Sequence, residues 1–286
     1  MPITSEISVL ETIQGSAPFP IICCRLPPFQ VREMVNPVDH PRIFLVASLL
    51  VFWFSGRIGA WWRARHGNIS EEVRNYFSLL LGAALTLLGL IIAFTFSMAV
   101  GRYDQRKNFE EQEANAIGTE YVRASQLPPA NSAKVKGLLK SYLDQRILNY
   151  KTRNERELLQ INARTFQLQT EMWSVASTSV VTLPSPMATF ILGGMNDVLN
   201  SQGYAQASWW NRVPIGAWTL LIIISIFCNL LIGYDAPERS GVFLLILPIF
   251  LSISLFLIAD IESPRHGFIL VQPQNLESLA ESLHSQ

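Results

Sequence analysis

Charged residues are scarce in this sequence. They make up 15 % of its 286 residues, against about 25 % in an average soluble domain, and hydrophobic residues make up 49 %. The formal net charge is zero, so overall charge does not favour a nucleic-acid partner. Cys23, Cys24 and Cys228 lack the spacing of a disulfide framework or a metal site, and the four histidines are scattered. We therefore expect no metal, no cofactor and no nucleic acid.

Catalytic motifs are also missing. The sequence contains no phosphate-binding glycine loop, no nucleophile elbow and no metalloprotease histidine pair. An enzyme is therefore the least supported class, and we predict no catalytic residues. A lipid-directed enzyme would need an acid–base pair among Arg57, Asp260 and Glu262.

The N-terminal 40 residues lack the features of a signal peptide. They have no basic start, and prolines at 18, 20, 27 and 28 interrupt their apolar patch. We expect residues 1–40 to form a poorly ordered extension. Translation from Met34, shortly before the first apolar segment, remains an open alternative.

Four long apolar segments dominate the rest of the chain. About 20 apolar residues at 1.5 Å per residue cross the 30 Å hydrocarbon layer of a membrane, and such segments must be helical because lipid cannot pair their backbone amides. We predict an all-α protein with transmembrane helices 1 and 2 in residues 41–100 and helices 3 and 4 in residues 213–262. The segments lie at Ile43–Trp62, between Arg74 and Arg102, between Arg212 and Asp235, and between Arg239 and Asp260.

Residues 101–212 are polar enough to form an extramembrane helical domain between the two pairs of spans, and residues 263–286 form a C-terminal tail. The second span should continue past Gly101 as one rod, because no glycine other than Gly101 separates the span from the first insert helix. Pro128-Pro129 and Pro184-Ser185-Pro186 separate helices, and Ser185 is expected to cap a helix that ends near Asn200. Apolar residues recur at helical spacing, three, four or seven positions apart, at 114/117/121/124, 139/143/147/150 and 158/161/168/172.

Acidic residues in this domain, at 110, 111, 113 and 120, are interpreted as a solvated helix face, because the ligand spacing and turn glycine of a calcium loop are missing. The apolar stripes of the projecting helices need partners, and self-association supplies them most simply.

The orientation follows from basic residues near the membrane. An even number of spans places both termini and the insert on one side. Seven Lys or Arg residues lie on that side (32, 42, 102, 106, 107, 212 and 265) against five on the other (57, 63, 65, 74 and 239). The positive-inside rule therefore favours a cytoplasmic insert.

Three separated motifs resemble those of the bestrophin-like family of bacterial membrane proteins. They are LLGLIIAFTFSMAVGRYDQRKNFEEQEANAIGTEY (87–121), GGMNDVLN (193–200) with NRVPIGAW (211–218), and LIADIESPRHGFILVQPQ (257–274). The resemblance covers about residues 42–280 and implies a multi-pass protein of the bacterial inner membrane. True bestrophins, which are pentameric anion channels, share Leu87-Leu88-Gly89 and Tyr103-Asp104, but Gln105-Arg106-Lys107 replaces their Arg-Trp-Trp.

The channel interpretation assigns roles to three groups of residues. Leu87, Ile91, Phe94 and Met98 would line a hydrophobic pore; packing against lipid or other helices is the alternative. Arg102, Tyr103 and Asp104 would form a pore mouth, with Asp104 orienting Arg102, or an interface anchor. Asp260 and Glu262 would pair with Arg102 or Arg106 as a clasp at the membrane face.

Two functions follow. The first is an oligomeric channel that conducts anions. The second is a non-conducting scaffold or sensor whose insert binds a cytoplasmic partner.

Overall fold

The structure is a computed structural model that describes residues 40–66, 70–181, 183–235 and 242–285. These residues contain no strand, and all of them fall in one compact unit. The expected N-terminal extension, apart from His40, and the alternative start at Met34 lie outside the described residues.

Eight α-helices make up the described chain. They are α1 (Pro41–His66), α2 (Glu71–Arg123), α3 (Pro129–Lys151), α4 (Glu155–Ser179), α5 (Ser185–Trp210), α6 (Ile215–Asp235), α7 (Phe243–Glu262) and α8 (Gln274–His284). A short 3₁₀ turn, Ala124–Gln126, follows α2.

Four of these helices are long and apolar enough to cross a membrane: α1, the first part of α2, α6 and α7. Two precede the insert and two follow it, so the chain is an all-α membrane protein in the 2 + 2 arrangement that the sequence predicted. The α2 helix contains 53 residues and is therefore about 80 Å long, far longer than a bilayer is thick. Its charge-free section from Phe77 to Gly101 is long and apolar enough to span a membrane, and the helix continues past this section without a break, as expected.

The breaks between insert helices have local causes. Pro129 occupies the start of α3, where a missing N–H costs no helical hydrogen bond. The side chain of Asn154 caps α4 by accepting a hydrogen bond from the Arg156 amide, at 3.0 Å. At α5 the expected cap is wrong, because Pro184 precedes the helix and Ser185 is its first residue.

The predicted end of α5 near Asn200 is also wrong, since the helix continues to Trp210. Its C-terminal part is buried through Ser201, Ala205 and Ser208. These small side chains allow close packing, and tertiary contacts extend a helix that local signals would end.

Two separate hydrophobic cores stabilise the fold. The insert core contains Ile117 of α2, Leu139 and Leu143 of α3, and Met172 of α4, which are members of the predicted apolar stripes. The membrane core contains Phe52, Leu88 and Trp218 with residues of α7.

Helices α1 and α6 approach each other closely inside the membrane core. A Cβ built at Gly59 would collide with the Leu230 carbonyl, and one at Gly233 would collide with the Gly56 carbonyl. The Ser55 hydroxyl donates to the Ile226 carbonyl at 2.8 Å. Small residues permit such backbone contact between membrane helices, so the glycines position α1 and α6.

Candidate functional site

The predicted pore-lining residues lie on α2 within the membrane. Leu87, Phe94 and Met98 are 49 %, 63 % and 43 % exposed, whereas Ile91 is half-buried against the membrane core. Helical spacing places the four residues on one face. Of the most apolar 18-residue stretch of α2 only 11 % is buried, whereas 50 % of the corresponding stretch of α7 is buried. A single chain therefore leaves this face of α2 uncovered.

Arg102, Tyr103 and Asp104 follow directly where α2 leaves the membrane. Arg102 Nη1 lies 3.3 Å from Glu262 Oε1 at the end of α7. Tyr103 packs against the membrane core, while Asp104 is exposed. Glu262 therefore orients Arg102, in place of the Asp104 contact that the sequence suggested.

Asp260 and Glu262 bind different partners. Glu262 Oε2 also accepts a hydrogen bond from the Val213 amide at 2.8 Å, just before α6. Asp260 instead accepts from the amides of Phe268 and Ile269, at 2.7 and 2.9 Å. The chain folds back after α7, and a Cβ at Gly267 would collide with the Asp260 carbonyl. Glu262 thus bridges helices, and Asp260 stabilises a turn.

Arg106 lies one turn beyond Arg102 and is buried. Its Nη1 donates to the Ile261 carbonyl at 3.0 Å, and its other nitrogens lie 3.5 Å from the carbonyl oxygens of Ser208 and Glu262. Arg106 therefore connects α2 to the ends of α5 and α7 without binding a carboxylate directly.

Arg265 extends these contacts into the insert. Its Nη1 donates to the carbonyls of Asn149 and Thr152, at 2.9 and 3.0 Å, at the end of α3. Its guanidinium lies 4.2 Å from the ring centre of Trp209, a favourable cation–π distance. We call Arg102, Arg106, Asp260, Glu262 and Arg265 the junction cluster, because they connect the membrane helices to the insert.

The acidic stretch of α2 is not the solvated face that the sequence predicted. Glu110, Glu113 and Glu120 are buried, and only Glu111 is exposed. The reason is their spacing, since positions 110, 113, 117, 120 and 124 lie on one helix face and include the core residue Ile117. That spacing was visible in the sequence, but the buried partners were not.

Glu113 forms a buried ion pair with Arg146 of α3, with Nη2 and Oε2 3.3 Å apart. Burial alone would lower the pKa of Arg146, but Glu113 more than offsets this and raises it. Burial, together with Glu113, raises the pKa values of Tyr142 and Tyr150 beside the pair. A buried ion pair therefore lies beside the hydrophobic core of the insert, with Tyr142 and Tyr150 next to it.

Across the described parts of the chain, no group of three or more His, Cys, Asp or Glu side chains could bind a metal ion. The rings of His40 and His266 do meet, with centres 5.3 Å apart, which the sequence did not indicate.

Arg57 lies at the far end of α1 from the acidic pair. Arg42, near the start of α1, contacts Phe268 of the turn after α7. Arg57 follows it by about 15 residues, or roughly 22 Å along the helix. The acid–base pair that a lipid-directed enzyme would need is therefore not formed by Arg57 with Asp260 or Glu262.

The sequence matches a known protein family over most of its length. The bestrophin-like domain matches residues 43–276, which include all four membrane helices and the insert. The chain belongs to the bestrophin-like family. This confirms the resemblance drawn from the three sequence motifs.

Solved structures share the fold of this bestrophin-like protein. A mutant of a bacterial bestrophin homolog from Klebsiella pneumoniae has a TM-score of 0.60 at 14 % identity, covering 84 % of this chain and 98 % of its own. A zinc-phased structure of a bacterial bestrophin homolog from Klebsiella pneumoniae has a TM-score of 0.60 at 14 % identity, and the match covers 85 % of this chain and 97 % of that one. A mutant described as a membrane protein has a TM-score of 0.58 at 14 % identity, and the match covers 86 % of this chain and 97 % of that one.

A search of the curated proteins found no match to this bestrophin-like chain.

Proposed function

We propose that this bestrophin-like protein is an oligomeric channel of the bacterial inner membrane that conducts anions. The observation that carries the proposal is the exposed apolar face of α2. Such a helix needs partners on that face, and identical copies arranged around an axis provide them. Leu87, Ile91, Phe94 and Met98 would then form a hydrophobic constriction, which gates by excluding water.

The anion preference is supported by family resemblance and by Arg102. Its guanidinium would lie just beyond the proposed constriction, and its side chain retains 19 % exposure beside a nearly buried Glu262. A partly exposed cation at the end of a pore attracts anions. Arg102, Tyr103 and Asp104 would thus form the pore mouth.

We assign membrane helices 1 and 2 to residues 41–100, the extramembrane domain to 101–212, membrane helices 3 and 4 to 213–262 and a C-terminal tail to 263–286. Contacts between α8 and both α2 and α3 attach that tail to the insert. The excess of basic residues on the insert side supports a cytoplasmic insert. The lipid bilayer and other copies of the chain are its expected partners.

Halide currents across planar bilayers test the channel. Purified protein should conduct, and Phe94→Ala should raise the current or shift its ion selectivity because it widens the constriction. Phe96→Ala is the matched control, since Phe96 lies two residues away and about 200° around the helix and is also exposed. A correctly assembled oligomer without conductance would remove the proposal, as would equal effects of the two substitutions.

A second candidate function is a non-conducting scaffold or sensor. It is favoured by large apolar side chains exposed on the insert, including Leu159 at 72 % and Phe166 at 54 % on α4. Exposed apolar patches commonly mark interaction sites. A stoichiometric protein that copurifies with the full chain, and is lost from Leu159→Glu and Phe166→Glu variants, would support this function. Retention by both variants would count against it.

A further inference from the structure

Glu120 of α2 is buried without a hydrogen-bond partner. Its side chain is 0 % exposed, and neither carboxyl oxygen has a partner among the residues that the structure describes. The nearest cation is Arg123, whose Nη1 lies 3.9 Å from Glu120 Oε2, too far for a hydrogen bond. Arg123 Nε is also buried and unpaired within the described chain.

The site lies where α2 packs against α5. A Cβ built at Gly194 of α5 would collide with Glu120 Oε2 and with Arg123 Nη1. Glycine at 194 therefore provides the space into which the carboxyl group and the guanidinium fit. Arg123 also lies over the ring of Phe190, 4.3 Å from its centre. Arg123 therefore contacts α5 directly.

Few other charges face Glu120. Arg123, on the same helix, favours the carboxylate, and Asp197 of α5 opposes it. Helix α3 brings Lys136 and Lys140, which lie 5.1 and 5.6 Å from the ring centre of neighbouring Tyr121.

Two further elements place uncharged residues near this turn. Helix α8 contributes the apolar Leu279 against Gly118, and the 3₁₀ turn after α2 has no charged residue.

Burial of an unpaired carboxylate is costly, so this environment favours the neutral acid. Burial raises the pKa of Glu120 from an ordinary value of 4.5 to about 8; Arg123 lowers it and Asp197 adds to the increase. Glu120 lies about 19 residues, or roughly 28 Å, beyond the membrane-spanning part of α2. Glu120 is therefore outside the apolar section of α2, on the side of the insert.

We propose that Glu120 is a proton-binding residue that keeps α2 packed on α5 when protonated and loosens this contact when it ionises. An ionised Glu120 needs donors. Arg123 can supply them only by moving towards the carboxyl group, because its Nη1 lies 3.9 Å from Glu120 Oε2, and water can supply them only by entering between the two helices. Either change alters the α2–α5 contact.

Both helices transmit this change towards the membrane. Helix α2 is continuous with a membrane span, and α5 is joined to α6 through only residues 211–214. The α2–α5 contact is thus placed to make the arrangement of the membrane helices depend on pH. This inference does not depend on ion conduction.

Thermal unfolding of the purified full chain in detergent tests the proposal. Wild type, Glu120→Gln and Glu111→Gln are compared from about pH 5 to about pH 10. Because Glu120 binds its proton more tightly in the folded chain, it stabilises the fold at low pH, and this stability is lost as pH rises to about 8. The wild-type midpoint should fall by several degrees relative to Glu120→Gln over that range and then stay level.

Glu111→Gln is the matched control, because Glu111 is on the same helix but exposed. Its midpoint should follow that of wild type at every pH. A constant difference between wild type and Glu120→Gln across the range would overturn the proposal.

Infrared difference spectroscopy gives a second test that does not rely on comparing stabilities. The wild type should show a protonated carboxyl band at neutral pH that disappears as the pH rises past about 8, and Glu111→Gln should retain it. Loss of this band before neutral pH, at the ordinary pKa of a carboxyl group, would contradict the proposal even if Glu120→Gln failed to fold.

Discussion

Three acidic residues on one face of α2 are buried, and each lies in a different environment. Glu110 receives backbone and side-chain donors, Glu113 receives a guanidinium, and Glu120 receives neither. Their helical spacing indicates a shared face, which the sequence shows. Their partners lie 33 and 165 positions away in the chain, so local patterns could not distinguish a paired acid from an unpaired one.

Glu110 binds the start of the C-terminal helix α8. Its oxygens accept from the amides of Asn275 and Leu276, each at 2.9 Å, and from the Asn275 side chain at 2.6 Å. A carboxylate at a helix N-terminus satisfies free donors and the helix dipole. Glu110→Ala should therefore release α8 and destabilise the fold by about 1–3 kcal/mol. Faster amide exchange over residues 274–284 would measure this release.

Glu111→Ala is the control for that experiment, since it removes the same charge from the neighbouring exposed position. It should leave exchange in α8 unchanged. If the two variants behave alike, the Glu110 contact does not stabilise α8.

The Glu113–Arg146 pair should be sensitive to removal of one partner. Arg146→Met leaves a buried carboxylate without its cation and should cost about 3–5 kcal/mol, whereas adding Glu113→Leu should recover much of that loss. Thermal unfolding of the single and double variants measures both effects. Lys134→Met breaks an ion pair whose side chains are 57 % and 47 % exposed and should change little. A double variant less stable than Arg146→Met would contradict this account.

At the scale of elements, contact between α1 and α6 depends on glycine. Gly59→Ala places a methyl group against the α6 backbone and should destabilise the protein in detergent by about 1–3 kcal/mol, because the helices must separate. The unfolding midpoint measures the loss.

Gly82→Ala on α2 is the matched substitution, because no described atom lies within 4 Å of a Cβ built there. It should be neutral or slightly stabilising, since alanine favours helix. Equal losses of stability from Gly59→Ala and Gly82→Ala would show that close packing of α1 against α6 does not explain the effect of Gly59→Ala.

Helix α2 and helix α5 show which elements the sequence could predict. No glycine other than Gly101 separates the second span from the insert, which predicted one long α2, and the structure confirms it. Helix α5 extends about 10 residues past its predicted end, because burial of Ser201, Ala205 and Ser208 depends on neighbours from elsewhere in the chain. Local breakers are visible in a sequence, whereas tertiary support for a weak helix is not.

At the scale of the whole molecule, the sequence predicted four spans, the 2 + 2 order and the family. It also suggested Arg102 and Arg106 as partners of the end of α7, and the structure places both there. It could not assign Glu262 rather than Asp104 to Arg102, since that choice depends on how α2 and α7 cross. The roles of Leu87, Ile91, Phe94 and Met98 remain predictions, because a pore forms only between copies.

Electron microscopy of the detergent-purified particle would test the central claim most directly. The claim is that copies of this bestrophin-like protein surround an axis lined by α2. We predict a closed ring of identical chains in which α2 is innermost and Phe94 faces the axis. A monomer or a simple dimer would contradict this claim, as would a ring in which the exposed face of α2 points to lipid.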